Sequence, residues 1–172
     1  MLPSMNKILA YERLIEILAY DNWSGIFRWK ILPSRKIKID TIAGGKTSHG
    51  YIAISIDENR YYAHHLAWLY EYKIWPILEI DHIDTIRDHN WIDNLRQATT
   101  SNNSANTRKY SNNKSGHKGV SWAKERNQWV VFIRRGNIHK NLGYFAPHEL
   151  EKAAKAYEDA ANKYFGEFAR IE

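Results

Sequence analysis

The sequence predicts an α+β protein of two small domains. The first ends in a hairpin-plus-helix (ββα) unit, and the second is a three-stranded antiparallel sheet packed on one helix. Three observations lead there. A long polar loop separates two short apolar pieces within residues 79–109, a Ser/Asn/Gly-rich stretch follows it, and beyond that come three strand-like runs and one long Ala-rich helical pattern. A chain of 172 residues holds one ordinary domain or two small ones.

The elements follow in order. Tyr11, Leu14, Ile15 and Leu18 recur at helical spacing, predicting a helix over residues 7–19 that stops near Asp21. Residues 26–30 and the alternating 51–56 read as strands, the latter with Ile52, Ile54 and Ile56 on one face, and a turn at 57–59 leads into a strand at 60–62. A helix over 63–72 groups Leu66, Leu69 and Tyr70 and cannot continue far past Pro76. Residues 80–83 and 95–98 form the hairpin, and Ser or Thr at 99–101 offers an N-cap for a short helix carrying Asn103 and Asn106. The first domain is therefore 1–109, with its ββα unit at about 79–108; 110–116 is the linker and 117–172 the second domain. There, strands are predicted at 118–123, 128–135 and 138–143, the last two joined by a Gly136-Asn137 turn. The final helix runs from near Pro147 to Gly166, with a stripe of Leu150, Ala153, Ala154, Tyr157, Ala160, Ala161 and Tyr164.

Composition narrows the chemistry. There is no cysteine, which removes disulfides, thiol nucleophiles and Cys-based zinc sites; any metal must bind through His, Asp, Glu, Asn or backbone oxygen, a donor set that suits one hard divalent cation such as Mg2+ or Mn2+. No apolar run approaches bilayer length and the N-terminus lacks a secretory pattern, so the expectation is a cytoplasmic protein without a membrane partner. The net charge is +6, but it is segregated. Residues 96–145 hold ten Lys or Arg against one acid, Glu125, leaving the remainder net acidic. A basic stretch interleaved with Trp122, Trp129 and Phe132 is the footprint of a phosphate-backbone binder, though a solvated basic face gives the same count.

Within the polar hairpin, Asp81-His82 is the chemically suggestive pair. At a strand end the two side chains can flank one metal, with Asp81 as ligand and His82, titrating near neutrality, taking a proton from water. Arg87 and Arg96 are candidate phosphate contacts. Asn90 and Asn106 read as supports of loop and helix geometry, and His89 as a solvated loop residue. His64 and His65 are open between packing and a ligand role.

The ordered segments YDNWSGIFRWK, GYIAISI, AHHLAW, IDHIDTIRDHNWIDNLR and TSNNSAN, spanning Tyr20 to Asn106, resemble the HNH endonucleases of phages and mobile introns. The resemblance implies a ββα-metal site in which Asp81 is a metal ligand, His82 the general base, Asn94 the residue that orients the imidazole or its strand, and Asn103 the second ligand. It also implies one divalent ion between Asp81, Asn103 and the scissile phosphate, in-line attack by a water that His82 deprotonates, and 5′-phosphate and 3′-hydroxyl ends. The chain departs from the family pattern at His65, where Arg is usual, at Thr85, where Gly is common, and at Trp91, where Arg is frequent.

The segments HKGVSW, WVVFI, NLGYF, AAKAYEDAA and FGEFA, covering most of 115–171, resemble the APETALA2-type DNA-binding domain, which lays the open face of its sheet into the major groove. Strand alternation sends Trp129, Val131 and Ile133 toward the helix and leaves Val130, Phe132, Arg134, His139 and Asn141 outward. Lys118, Trp122, Lys124, Arg126, Arg135 and Lys140 complete the expected DNA-contacting set, with Arg134 the candidate guanine reader and Trp122 open between a core and a DNA-contacting role. Together these imply a site-directed, homing-type endonuclease of a phage or mobile element acting on double-stranded DNA in a bacterial host, with no protein partner. The competing reading is a DNA-binding regulator that keeps the nuclease fold without turnover.

Overall fold

The computed structural model describes residues 8–31, 38–106, 109, 112–135 and 138–171, the side chains of Arg135 and Ile138 excepted. The Gly136-Asn137 turn and the side chain of Arg135 therefore lie outside the described residues, as do Tyr110 and Ser111 of the expected linker. Helices and strands are mixed throughout, and the chain divides into two compact units, Met1–Ala98 and Thr99–Glu172. Among the described residues no helix is long and apolar enough to cross a membrane.

The first unit opens with α1 (Tyr11–Ile17), which gives way at once to β1 (Leu18–Asp21). The helix predicted to run through residue 19 thus ends early. Leu18 pairs with Trp29 and Tyr20 with Phe27 of β2 (Ile26–Trp29), and the Tyr20 and Phe27 rings stack at 4.6 Å. A paired ladder and a buried aromatic contact outweigh two more residues of helix, because helix propensity is a weak preference that tertiary packing overrides. The β1–β2 turn is fastened by Asp21, whose carboxylate accepts from the Trp23 amide at 3.0 Å and the Ser24 hydroxyl at 2.7 Å.

A three-stranded antiparallel sheet follows, with β4 (Ile52–Ile56) between β3 (Gly45–Lys46) and β5 (Asn59–Tyr62). Its core face carries Ile54, Ile56 and Tyr61, packed with Leu14, Ile17, Phe27, Leu66 and Leu69. The last two come from α2 (Ala63–Tyr72), which ends where Lys73 turns left-handed and its amide bonds to the Leu69 carbonyl. Period 2 along β4 and period 3.6 along α2 aim their apolar residues at one core, as the sequence pattern requires. The unit closes with an antiparallel hairpin, β6 (Glu79–His82) and β7 (Leu95–Ala98), whose register sets Asp81 opposite Arg96 and His82 opposite Leu95.

The second unit begins with α3 (Thr100–Ala105), capped by Thr99, whose hydroxyl accepts from the Asn102 amide. The two strands of the expected ββα element thus belong to one unit and its helix to the other. The sheet has β9 (Gln128–Arg135) between β8 (Val120–Ala123) and β10 (Ile138–Phe145). A bulge between Asn141 and Gly143 shifts its register. Across it packs α4 (Leu150–Phe165), burying Ala153, Tyr157, Ala160, Ala161 and Phe165. It starts three residues after Pro147, later than expected, and stops at Gly166 as predicted. Gly119 is obligatory here. Its φ is +73°, and a Cβ would lie 2.1 Å from the Tyr157 ring. Val131 and Ile133 are buried, as alternation requires, but so is Val130, expected to face outward, because in the central strand it is flanked by Ser121 and Tyr144.

Candidate active site

Strand β6 delivers Asp81 and His82 together to its C-terminal end, both only 5% exposed. Asp81 Oδ2 accepts from Arg96 Nε at 3.0 Å and Nη2 at 2.9 Å, a contact that follows from their opposed positions in the ladder. Arg96 is therefore engaged with the neighbouring carboxylate.

The loop after His82 is organised around Asp84. Its carboxylate accepts from the Ile86 amide at 2.8 Å, from Asn94 Nδ2 at 3.0 Å and from His89 Nδ1 at 2.6 Å. Burial alone would raise the Asp84 pKa, but these donors prevail and hold it below the ordinary carboxylate value. Asn94 spends its whole amide on this loop. Besides Asp84 Oδ1 it donates to the His89 carbonyl at 2.8 Å, its Oδ1 accepts from the Asp84 amide at 3.0 Å, and its own carbonyl accepts from the Ile83 amide at 2.9 Å. Asn94 thus fixes the chain on the C-terminal side of His82.

The imidazole itself is met by Asn90. Its Oδ1 lies 3.2 Å from His82 Nε2, while its Nδ2 donates to the Asp88 carbonyl at 3.1 Å. Asn90 is 1% exposed and locked from behind: the Tyr20 hydroxyl donates to its carbonyl at 2.8 Å, and Gly25, at φ +72°, lies so close that a Cβ there would stand 2.3 Å from its carbonyl carbon. The β1–β2 hairpin is thereby a buttress for the loop. Sequence reasoning gave Asn90 only a supporting role in the loop, and the signal pointing further was an Asn in a polar loop that also supplies the neighbouring Asp and His.

Around His82 the rings of His64 and Tyr51 lie 5.2 and 6.0 Å away, His64 meeting it edge-on. His64 also stacks on Tyr62 and touches His65, and its Nδ1 has no hydrogen-bond partner among the described residues. Burial pushes the pKa of His82 down, against the opposing pull of its Asn90 bond. It pushes His64 well below the ordinary imidazole value and His65 down to about 4. The AHHLAW histidines are thus packed, neutral groups. Thr85 adopts φ +65°, a backbone shape costly for a β-branched residue.

Among the described residues no trio of His, Asp or Glu is grouped to hold a metal ion. The expected ligands are of another composition, a carboxylate from Asp81 and a carboxamide from Asn103 on α3. Both offer the hard oxygen that Mg2+ and Mn2+ prefer, and Oδ2 of Asp81 already accepts from Arg96.

The remaining candidates fall into separate environments. Arg87 donates to the His49 carbonyl at 2.9 Å and lies over the Tyr51 ring. In the second unit, Arg134, His139 and Asn141 share the open face of the sheet, where the Phe132 and His139 rings stack at 4.7 Å. Lys124 is exposed beside that sheet, Arg126 lies over the Tyr144 ring, and Trp122, 37% exposed, meets Trp129 edge-on. Two lysines are placed otherwise. Lys140 donates to the Tyr164 hydroxyl of α4, and Lys118 donates to the Ala105 carbonyl at 2.7 Å, half-buried with its pKa pushed down to about 8 by desolvation.

A family model described as HNH endonuclease matches residues 61–105, which include Asp81, His82, Asn90, Asn94 and Asn103. Protein 3.8 of Escherichia phage T7 is 37% identical over 95 residues, 54% of this chain and 74% of the relative. An uncharacterized HNH endonuclease, L560, of Acanthamoeba polyphaga mimivirus is 39% identical over 101 residues, 58% of this chain but only 49% of that protein. No solved structure matches significantly. A buried Asp-His pair on a hairpin and a polar loop pinned by Asn94 lie within the matched stretch, and residues 61–105 form an HNH endonuclease domain.

Proposed function

We propose that the chain is a metal-dependent DNA endonuclease that hydrolyses phosphodiester bonds, acting as a site-directed, homing-type enzyme of a phage or mobile element. The observation that supports it most is the state of His82: a buried imidazole at a strand end, kept neutral by desolvation and aimed by Asn90. A neutral ring with one nitrogen committed to an acceptor presents its other nitrogen as a base, and His82 accordingly takes the proton of the attacking water. Asp81 would be a ligand of Mg2+ or Mn2+, which when bound supplies charge neutralisation at the phosphate and the departing 3′ oxygen. Asn94 keeps the loop that carries the site in shape. The second unit is an APETALA2-type module that positions double-stranded DNA through the open face of its sheet, with Arg134, His139 and Asn141 central and Lys124, Arg126 and Trp122 at its margins.

His82→Ala should lower cleavage of plasmid or phage DNA by about 10²- to 10⁴-fold with DNA affinity nearly unchanged, and EDTA should abolish cutting by the unaltered chain. Cutting by His82→Ala at the unaltered rate, or nicking that persists in EDTA, contradicts the mechanism. A second reading draws on the Arg96 guanidinium engaging Asp81, which puts a cationic side chain on the expected metal ligand: a DNA-binding regulator without turnover. DNA binding with no cleavage in Mg2+, Mn2+ or any other divalent ion selects that reading.

A further inference from the structure

Beside the site lies a cleft of about 270 Å3 lined by Thr47, Ser48, His49, Arg60, Tyr61 and Tyr62. Its floor follows from the ladder. On the outer face of the sheet Tyr62 pairs with Ala53, Ala53 with Gly45, and Arg60 with Ser55, so small residues leave a trough between Arg60 and Tyr62 and the turn at 47–50. The lining contains no carboxylate, while it holds a guanidinium, an imidazole and two hydroxyl-bearing residues of the turn. Arg60 is exposed and makes no ion pair among the described residues; the nearby Asp57 is instead bonded to Arg13.

Two links join this cleft to the candidate base. Tyr62, 39% exposed, stacks at 5.4 Å on His64, which meets His82 edge-on. From the other side, Arg87 donates to the His49 carbonyl and Lys46 pairs with Asp88, tying the turn to the loop that ends at Asn90. The cleft is thus built on the same scaffold as His82. Its size, near the lower end of about 300–1,000 Å3 for small-molecule sites, suits one sugar-phosphate unit.

We propose that this cleft is a backbone subsite for DNA, in which Arg60 binds a phosphate flanking the scissile one and the Tyr62 ring carries the adjoining sugar. This deepens the nuclease reading and rests on it for the identity of the ligand, but it is tested by binding alone. A guanidinium suits the role because it donates two parallel bonds to phosphate oxygens. A neutralised phosphate releases counterions, so each such contact contributes about 0.9 to the slope of log K against log salt.

The test uses the full chain carrying His82→Ala, so that DNA is not consumed, and a fluorescein-labelled random-sequence duplex followed by anisotropy over a salt series. Arg60→Ala should weaken binding and reduce the slope by about 0.9, so that its deficit shrinks about threefold between 50 and 200 mM salt. Arg60→Lys should keep the slope, and Lys73→Gln, an equal loss of charge elsewhere on the same unit, should not change it. Arg60→Ala behaving like Lys73→Gln overturns the subsite, as does a duplex that fails to bind at low salt. Cleavage by the chain with His82 intact is scored separately: binding with the expected Arg60 slope but no cutting in any divalent ion retains the subsite and rejects the nuclease.

Discussion

The ring of His82 has two nitrogens, and which of them carries the proton is decided by Asn90. Because Asn90 Nδ2 donates to the Asp88 carbonyl, its Oδ1 is the atom turned toward His82 Nε2, so that ring nitrogen carries the hydrogen and Nδ1 the lone pair. Asn90→Leu keeps the approximate volume but removes the acceptor. Nitrogen-resolved NMR of the imidazole should then change from the single Nε2–H tautomer to a mixture, and kcat should fall about 10- to 100-fold with KM little changed. An unaltered tautomer and kcat would reject the assignment, and a melt of the variant separates loss of orientation from loss of fold. Asp81 and His82 were legible in the sequence because adjacent residues at a strand end need only local geometry to meet. The Asn90 contact was not, since it depends on Tyr20 and Gly25 pressing a loop into place from seventy and sixty-five positions away. Thr85 lies between these cases: the absence of Gly was visible, and the left-handed backbone beneath it needed the structure.

At the scale of elements, periodicity located what it could and failed where packing competed with it. The alternating run of β4 buries Ile54 and Ile56 on one face and the Ala-rich stripe of α4 is likewise buried, so spacing alone locates both elements. The two-residue β3 has no period to read, and β1 was hidden because Leu18 continues the apolar spacing of α1 before pairing with Trp29. The packing of α4 on β8–β10 makes its own test. In Gly119→Ala the new methyl group must enter a left-handed backbone and displace the Tyr157 ring, costing about 2–4 kcal/mol in combination. Thermal unfolding should show the loss, and trimming the ring in a Gly119→Ala/Tyr157→Leu double variant should cost less than the sum of the two single changes, since they share one contact. Strict additivity would mean that the ring is not what the methyl group meets.

For the whole molecule, the segregated charge and the buried histidines give opposite responses to solution conditions. Lys124, Arg126 and Arg134 are exposed, where salt screens them, whereas His64 and His65 are packed in the first unit and answer to pH. Burial sets their folded-state pKa values below the roughly 6.5 of an unfolded imidazole, well below for His64 and at about 4 for His65. As pH falls through about 6.5, the unfolded chain therefore takes up protons that the folded chain refuses. The stability these two groups confer is complete above that pH and is lost on acidification, continuing to about 4 for His65, with a limiting slope of about 1.4 kcal/mol per pH unit for each. Denaturant unfolding between about pH 7 and 5 should show this decline. His65→Phe, which keeps an aromatic edge toward Trp75 and His64 but cannot be protonated, should remove one proton's share of the slope. An undiminished slope in that variant would place the acid sensitivity on other groups, and the packed, neutral histidine cluster would no longer account for it.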